Sequence, residues 1–138
     1  MTMGYRSDVG IVLGFLNADE ANKFITTYKI KKPEFWENEI GKFWQMNQDS
    51  SVIYAQMDSV KWYPEHRLVM DISEMLEFAI ENFQCAYHFI RIGENEDDIE
   101  IEGDTHKEDD GSVRKDLVHL TLELNDMLTI SRRIILVI

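Results

Sequence analysis

Basic charge, cysteine and long apolar runs are all scarce in this sequence. Lysine and arginine number 14 against 26 aspartates and glutamates, giving a formal charge of −12 over 138 residues. Affinity for phosphate backbones comes from clustered Lys and Arg, so direct nucleic-acid binding is not expected and a basic protein partner is. Cys85 is the one cysteine, which rules out an intramolecular disulfide. The N-terminus shows no charged start followed by an apolar run and a small-residue cleavage site, so a reducing, cytoplasmic setting is expected. No apolar stretch approaches the roughly 18 to 20 residues that would cross a bilayer. The late run Ile134 to Ile138 is far shorter, and no membrane association is predicted.

Portable catalytic and cofactor motifs are missing as well. There is no Gly-x-x-x-x-Gly-Lys loop, no Gly-x-Gly-x-x-Gly turn and no serine in a Gly-x-Ser-x-Gly context, so the usual phosphate cradles and nucleophile elbow are not present. His66, His88, His106 and His119 include no pair at the i, i+4 spacing of a helical zinc motif, and no metal or other cofactor is expected. Placing Gly111 at the EF-hand glycine puts His106 at the first ligand position and Leu117 at the twelfth, where calcium needs a bidentate glutamate. Cys85 lies beside Ala86 and Tyr87 in a run that fits a buried core better than a reactive thiol.

What is present is enough apolar residue, 44% of the chain, to fill the core of one domain. Val9 to Leu16 is apolar on both alternating faces, as a strand covered on both sides would be. Asn17 is a candidate helix N-cap, with Glu20 three residues on, ahead of Ala21, Phe24, Ile25 and Tyr28. Pro33 can open a second helix carrying Phe35, Trp36, Ile40, Phe43 and Trp44 on one face. Ser51 to Met57 and Val60 to Tyr63 fit two strands joined around Asp58 and Ser59.

The clearest periodicity follows Asp71. Ile72, Met75, Leu76, Ala79, Ile80 and Phe83 form a helical core stripe, with Glu74, Glu77 and Glu81 on the other face. Cys85 to Ile92 and Ile99 to Gly103 predict a hairpin that places Ile92 opposite Ile99, Ile90 beside Ile101 and Arg91 across from Glu100. Residues 104–112 predict a solvated loop. From Leu117 to Leu128 the leucines fit a helix nearly as well as a strand. The β-rich tail from Ile130 and the Asn125-Asp126 pair favour a closing hairpin. The expected fold class is therefore α+β, a mainly antiparallel sheet with about three helices packed on it.

Charge is concentrated in residues 94–110. Glu94, Glu96, Asp97, Asp98, Glu100, Glu102, Asp104, Glu108, Asp109 and Asp110 oppose only Lys107, so this segment holds −9 of the −12. These ten acids are the expected partner-binding residues, together with Tyr87 and Phe89. The hairpin register sets those two on the face opposite Ile90, where they would be an exposed apolar patch unless a helix or the C-terminal hairpin covered them.

Three segments, Tyr5-Arg6-Ser7-Asp8-Val9, Val60-Lys61-Trp62-Tyr63 and Phe89-Ile90-Arg91-Ile92-Gly93-Glu94, resemble small uncharacterised bacteriophage and prophage proteins. The resemblance implies a phage-encoded accessory protein that binds a component of its bacterial host. With the charge pattern, it predicts a non-enzymatic interaction protein that presents acid to a basic protein, in its sharpest form by mimicking a nucleic acid. Two readings compete with it. One is an acidic run that only keeps the chain soluble and blunts an edge strand. The other is a small enzyme that joins His88, His106 or His119 to a carboxylate through space. The apolar tail ending at Ile138 would pair with a second copy if it formed a sheet edge, so a homodimer is a further expectation.

Overall fold

A computed structural model describes residues 6–39, 44–46, 49–62, 66–95, 97–131 and 133–136. Tyr5, Ile40, Phe43, Tyr63, Glu96, Val137 and Ile138 lie outside the described residues. The fold is α+β, built on one five-stranded, wholly antiparallel sheet.

β1 (Arg6–Phe15) is the central strand. It pairs with β3 (Val52–Lys61) on one side and β4 (Cys85–Ile92) on the other. β2 (Trp44–Met46) borders β3 and β5 (Ile99–Thr105) borders β4, giving the order β2-β3-β1-β4-β5. The doubly apolar pattern of β1 has the expected cause, because both faces are covered. Val9, Ile11, Leu13 and Phe15 join the core under α1 (Ala18–Lys31) and α2 (Arg67–Asn82). Val12 joins Val52, Tyr54, Ala86 and Ile90 in a second core on the opposite face, against Leu124 of α3 (Lys115–Met127).

Asn17 caps α1 as its spacing predicts, its Oδ1 accepting the Glu20 N–H at 2.9 Å. The Glu20 carboxylate does not fold back to the cap. It accepts the Gln84 N–H at 3.2 Å and so ties the start of α1 to the α2–β4 junction. α2 starts four residues earlier than Asp71, because His66 caps it through Nδ1, which accepts the Leu68 N–H at 3.1 Å. Ile72, Met75, Leu76 and Ala79 are buried as the stripe predicts.

Three expectations are corrected. The segment after Pro33 forms a short π-helical turn, Phe35–Glu39, and Trp44 belongs to β2 instead of a second long helix. Trp36 and Trp44 still meet, stacked with centroids 6.0 Å apart, because the reversed chain brings them into the same core. Residues 51–62 do not form the expected hairpin, whose last residue, Tyr63, lies outside the described residues. They contain one continuous strand, β3, with a bulge between the pairs Ser7/Val60 and Val9/Met57. Ser59 sits there at φ 56°, its N–H held by Asp8 Oδ1 at 2.9 Å and its carbonyl by Arg6 Nη1 at 3.0 Å.

The third correction concerns residues 115–127, which are helical. On the sheet face that carries Val12 and Ala86, Gly14 leaves a trough that the helix fills. Leu117 and Leu124 are fully buried in that layer, while Val118 and Leu122, which a strand would have buried, are exposed. The approach is close, since a Cβ on Gly14 would lie 3.0 Å from Leu120 Cδ1 and 3.1 Å from Leu124 Cδ2. The closing hairpin forms later, from β6 (Leu128–Ser131) and β7 (Arg133–Leu136). It packs against β1 and β4. Among the described residues no helix is long and apolar enough to cross a membrane.

Candidate functional site: an acidic groove between α2 and β5

The β4–β5 hairpin has the register its sequence predicts, with Ile92 opposite Ile99, Ile90 opposite Ile101 and Arg91 opposite Glu100. β5 continues past Gly103 to Thr105, and the loop follows from His106. Alternation along a strand therefore sends Glu100, Glu102 and Asp104 to the face that carries α2. α2 brings Glu77 and Glu81 to the same place. Between the two elements lies a groove of about 490 Å³, rimmed by these five carboxylates. Trp62, Tyr87 and Phe89 line it below, with Leu76 and Ile80 along its α2 wall.

Tyr87 and Phe89 form no exposed patch, because a helix, α2, covers that face, as one of the two alternatives had it. Phe89 is only 4% exposed and packs in the main core, its ring 5.8 Å from that of Trp62. Tyr87 is half-buried and remains a groove residue. Burial, then the charges of Glu102 and Asp104, push its phenol above the ordinary range, so it stays neutral. Burial also raises the Glu102 carboxyl, with the Glu100 charge and a hydrogen bond to Glu100 adding to it.

The acids of residues 94–110 divide by what they touch. Arg91 draws two of them inward: its Nε donates to Glu100 Oε1 at 2.7 Å, and Nη1 and Nη2 donate to Asp98 at 3.2 and 2.8 Å. The same guanidinium donates to the buried Ser7 Oγ at 2.9 Å. Burial alone would weaken the Arg91 charge, and the two carboxylates outweigh it. Glu94 accepts the Arg6 N–H at 2.7 Å. Asp110 accepts the Ser112 N–H at 2.9 Å, and a hydrogen bond with the Ser112 side chain, then this backbone bond, hold its carboxyl below the usual range. Asp104 accepts the Thr105 N–H at 2.8 Å, with Lys107 Nζ 3.8 Å away. Asp97, Glu102, Glu108 and Asp109 are exposed, and Glu96 lies outside the described residues. Several of the ten thus build the hairpin and its loop, and Glu100, Glu102 and Asp104 also reach the groove with α2, Glu100 while paired with Arg91.

Sequence reasoning missed Glu77, Glu81 and Trp62 as site residues. The two glutamates had a signal, since they flank the core stripe one turn apart on α2 and so border whatever strand lies beside it. Trp62 had none without knowledge of the bulge.

The histidines are dispersed. Burial on the α3 face lowers the His88 pKa. His106 Nδ1 lies 2.6 Å from the Ile80 carbonyl, to which it can only donate, so that ring secures the end of α2. His119 shares a shallow depression of about 380 Å³ with Asp116 and Glu123, all three on the outer side of α3. Cys85 is fully buried, its thiol directed to the Ala79 carbonyl at 3.2 Å, and burial pushes its pKa far up. Among the described residues no three His, Cys, Asp or Glu side chains gather as a metal ion would require.

Compared with protein-family models, curated proteins and solved structures, the chain finds no match.

Proposed function

We propose that this chain is a non-enzymatic interaction protein whose α2–β5 groove holds a basic segment of a protein partner. One observation carries the reading: five carboxylates from two elements surround an apolar, aromatic floor, with no basic side chain lining the groove among the described residues. Lys and Arg are matched to such a place. Their aliphatic stems can lie along apolar surface while their heads meet carboxylates, and an aromatic face adds a cation–π contribution of about 0.5–2 kcal/mol. Acid outside the groove, at Asp97, Glu108 and Asp109, would speed encounter with the same partner. The phage resemblance adds a bacterial host protein as the partner and the cytoplasm as the setting, both part of this proposal. Among the described residues no histidine lines the groove, which sets it apart from the rival His/carboxylate enzyme.

The test compares the parent with a variant carrying Glu77→Gln, Glu81→Gln, Glu102→Gln and Asp104→Asn, all near-isosteric. Immobilised parent should retain basic proteins from a bacterial lysate and release them with salt, since exposed charges are screened over about 8 Å at physiological ionic strength. The variant should lose them. Equal retention by both would place the interface elsewhere and end this reading.

A further inference from the structure

β5 ends the sheet, and two hydrogen bonds fix the phase of its ladder with β4. The Gly93 N–H donates to the Asp98 carbonyl at 2.7 Å, and the His106 N–H donates to the Cys85 carbonyl at 2.9 Å. Antiparallel pairs alternate between bonded and non-bonded. With the register on the page, the backbone groups of Glu100, Glu102 and Asp104 face β4, and those of Ile99, Ile101, Gly103 and Thr105 face outward. The two end donors are already engaged, Ile99 N–H by the Asp97 carbonyl at 3.1 Å and Thr105 N–H by Asp104 Oδ1 at 2.8 Å. The middle of the strand presents the donors and acceptors of Ile101 and Gly103.

The two faces of this edge differ in chemistry. Toward α2 stand Glu100, Glu102 and Asp104, with Glu77 and Glu81 beyond them. Toward α3 stand Ile99 and Ile101, which are 42% and 58% exposed. Asp116, His119 and Glu123 of α3 border Phe15 and Ser51, on the β3 side of the sheet. Val118 and Leu122, on the flank of the helix away from these three, are also exposed.

We infer that the partner segment binds as an added β-strand on the β5 edge, with Lys or Arg at alternate positions over the acids and apolar residues between them over Ile99 and Ile101. This rests on the proposed acidic groove and specifies its occupant. Strand addition draws affinity from main-chain hydrogen bonds and specificity from alternate side chains, and opposite charges directly across an antiparallel pair attract. A second copy of this chain is the wrong occupant. Antiparallel self-pairing centred on Ile101 sets Glu100 of each copy opposite Glu102 of the other, and like charges in that position repel.

The test uses synthetic nine-residue peptides titrated into the full chain at low and physiological salt. One alternates Lys or Arg with Val or Ile. A second has the same composition with its bases at helical spacing. A third repeats the alternating sequence with N-methyl groups on every second amide, in both phases. The alternating peptide should bind and should slow hydrogen exchange at the Ile101 and Gly103 amides. N-methylation in one phase, which removes the donors facing β5, should weaken it about tenfold or more. Ile101→Pro, which removes an outward N–H where an edge strand tolerates proline, should weaken it similarly, and the methylated peptides keep the test valid if that variant does not fold. Binding of both methylated peptides as tight as that of the parent peptide, equal binding of the helically patterned peptide, or no binding at millimolar concentration overturns strand addition. If the four-site amide variant then loses binding of whichever peptide binds, the acidic groove stands without the strand. If it retains the alternating peptide at full affinity, the groove reading falls as well.

Discussion

Arg91 stands directly across the β4–β5 ladder from Glu100 and donates from Nε to its Oε1 at 2.7 Å, a pair set at the boundary between buried core and acidic edge. The arginine side chain is 10% exposed and that of Glu100 42%. Loss of the cation would therefore leave Glu100 and Asp98 able to regain water, but would strip the buried Ser7 hydroxyl of a partner. Arg91→Met should destabilise the fold by about 1–3 kcal/mol, below the 3–5 kcal/mol of a fully buried broken pair. Urea denaturation checks this, and unchanged stability would show the cluster to be ornamental.

Leu76 is 5% exposed in the core under α2. Leu76→Ala should cost about 2–5 kcal/mol, as truncation of a buried leucine does. Thermal denaturation of the parent and variant decides it, and Glu74→Gln on the exposed face serves as a near-neutral control.

Gly14→Val should drive α3 away from the sheet, because even a Cβ there would come within 3.0 Å of Leu120. Overpacking of this kind costs about 1–3 kcal/mol. The loss should appear in denaturation, with the side-chain signals of Leu120 and Leu124 shifting most in methyl NMR spectra.

Glu102 yields a prediction in pH. Its folded carboxyl binds a proton more tightly than the ordinary group of pKa 4.5, so the folded state holds more protons than the unfolded chain between those two values. Stability must then fall as pH rises through that interval. Glu102→Gln should be more stable than the parent at neutral pH, and the gap should close below pH 4.5. A gap that stays constant with pH would mean the gain has another origin.

Much of this architecture was legible because side-chain periodicity and backbone pairing have one cause. The alternation in Cys85 to Ile92 and Ile99 to Gly103 set a register that also put opposite charges across from one another, and two such agreements rarely coincide by accident. The stripe from Ile72 to Ala79 was equally clear. The leucines after Leu117 were not, since local pattern suits both structures and the trough at Gly14 that decides between them comes from residues a hundred positions away. Trp44 was misplaced for a similar reason: helical spacing from Trp36 is indistinguishable from a chain that reverses and returns. As for the groove, its acid on β5 was visible as composition. Its other wall on α2 was visible only as a solvated face, because the sequence does not say which strand lies beside a helix.

The bulge at Ser59 carries a consequence for chain length. Before it, odd-numbered residues of β3, Ile53, Ala55 and Met57, point into the α1/α2 core, and after it the even-numbered Val60 and Trp62 do. One supernumerary residue has exchanged the parity of everything downstream. Deleting Ser59 would restore unbroken alternation from Met57 through Asp58 to Val60, so Trp62 would keep its place on the groove floor and Lys61 would stay off it. The bulge is therefore a point at which the chain can shed one residue without changing what lines the groove. Deletion of Ser59 should leave the aromatic floor in place and cost the hydrogen bonds that Asp8 and Arg6 make to the Ser59 backbone.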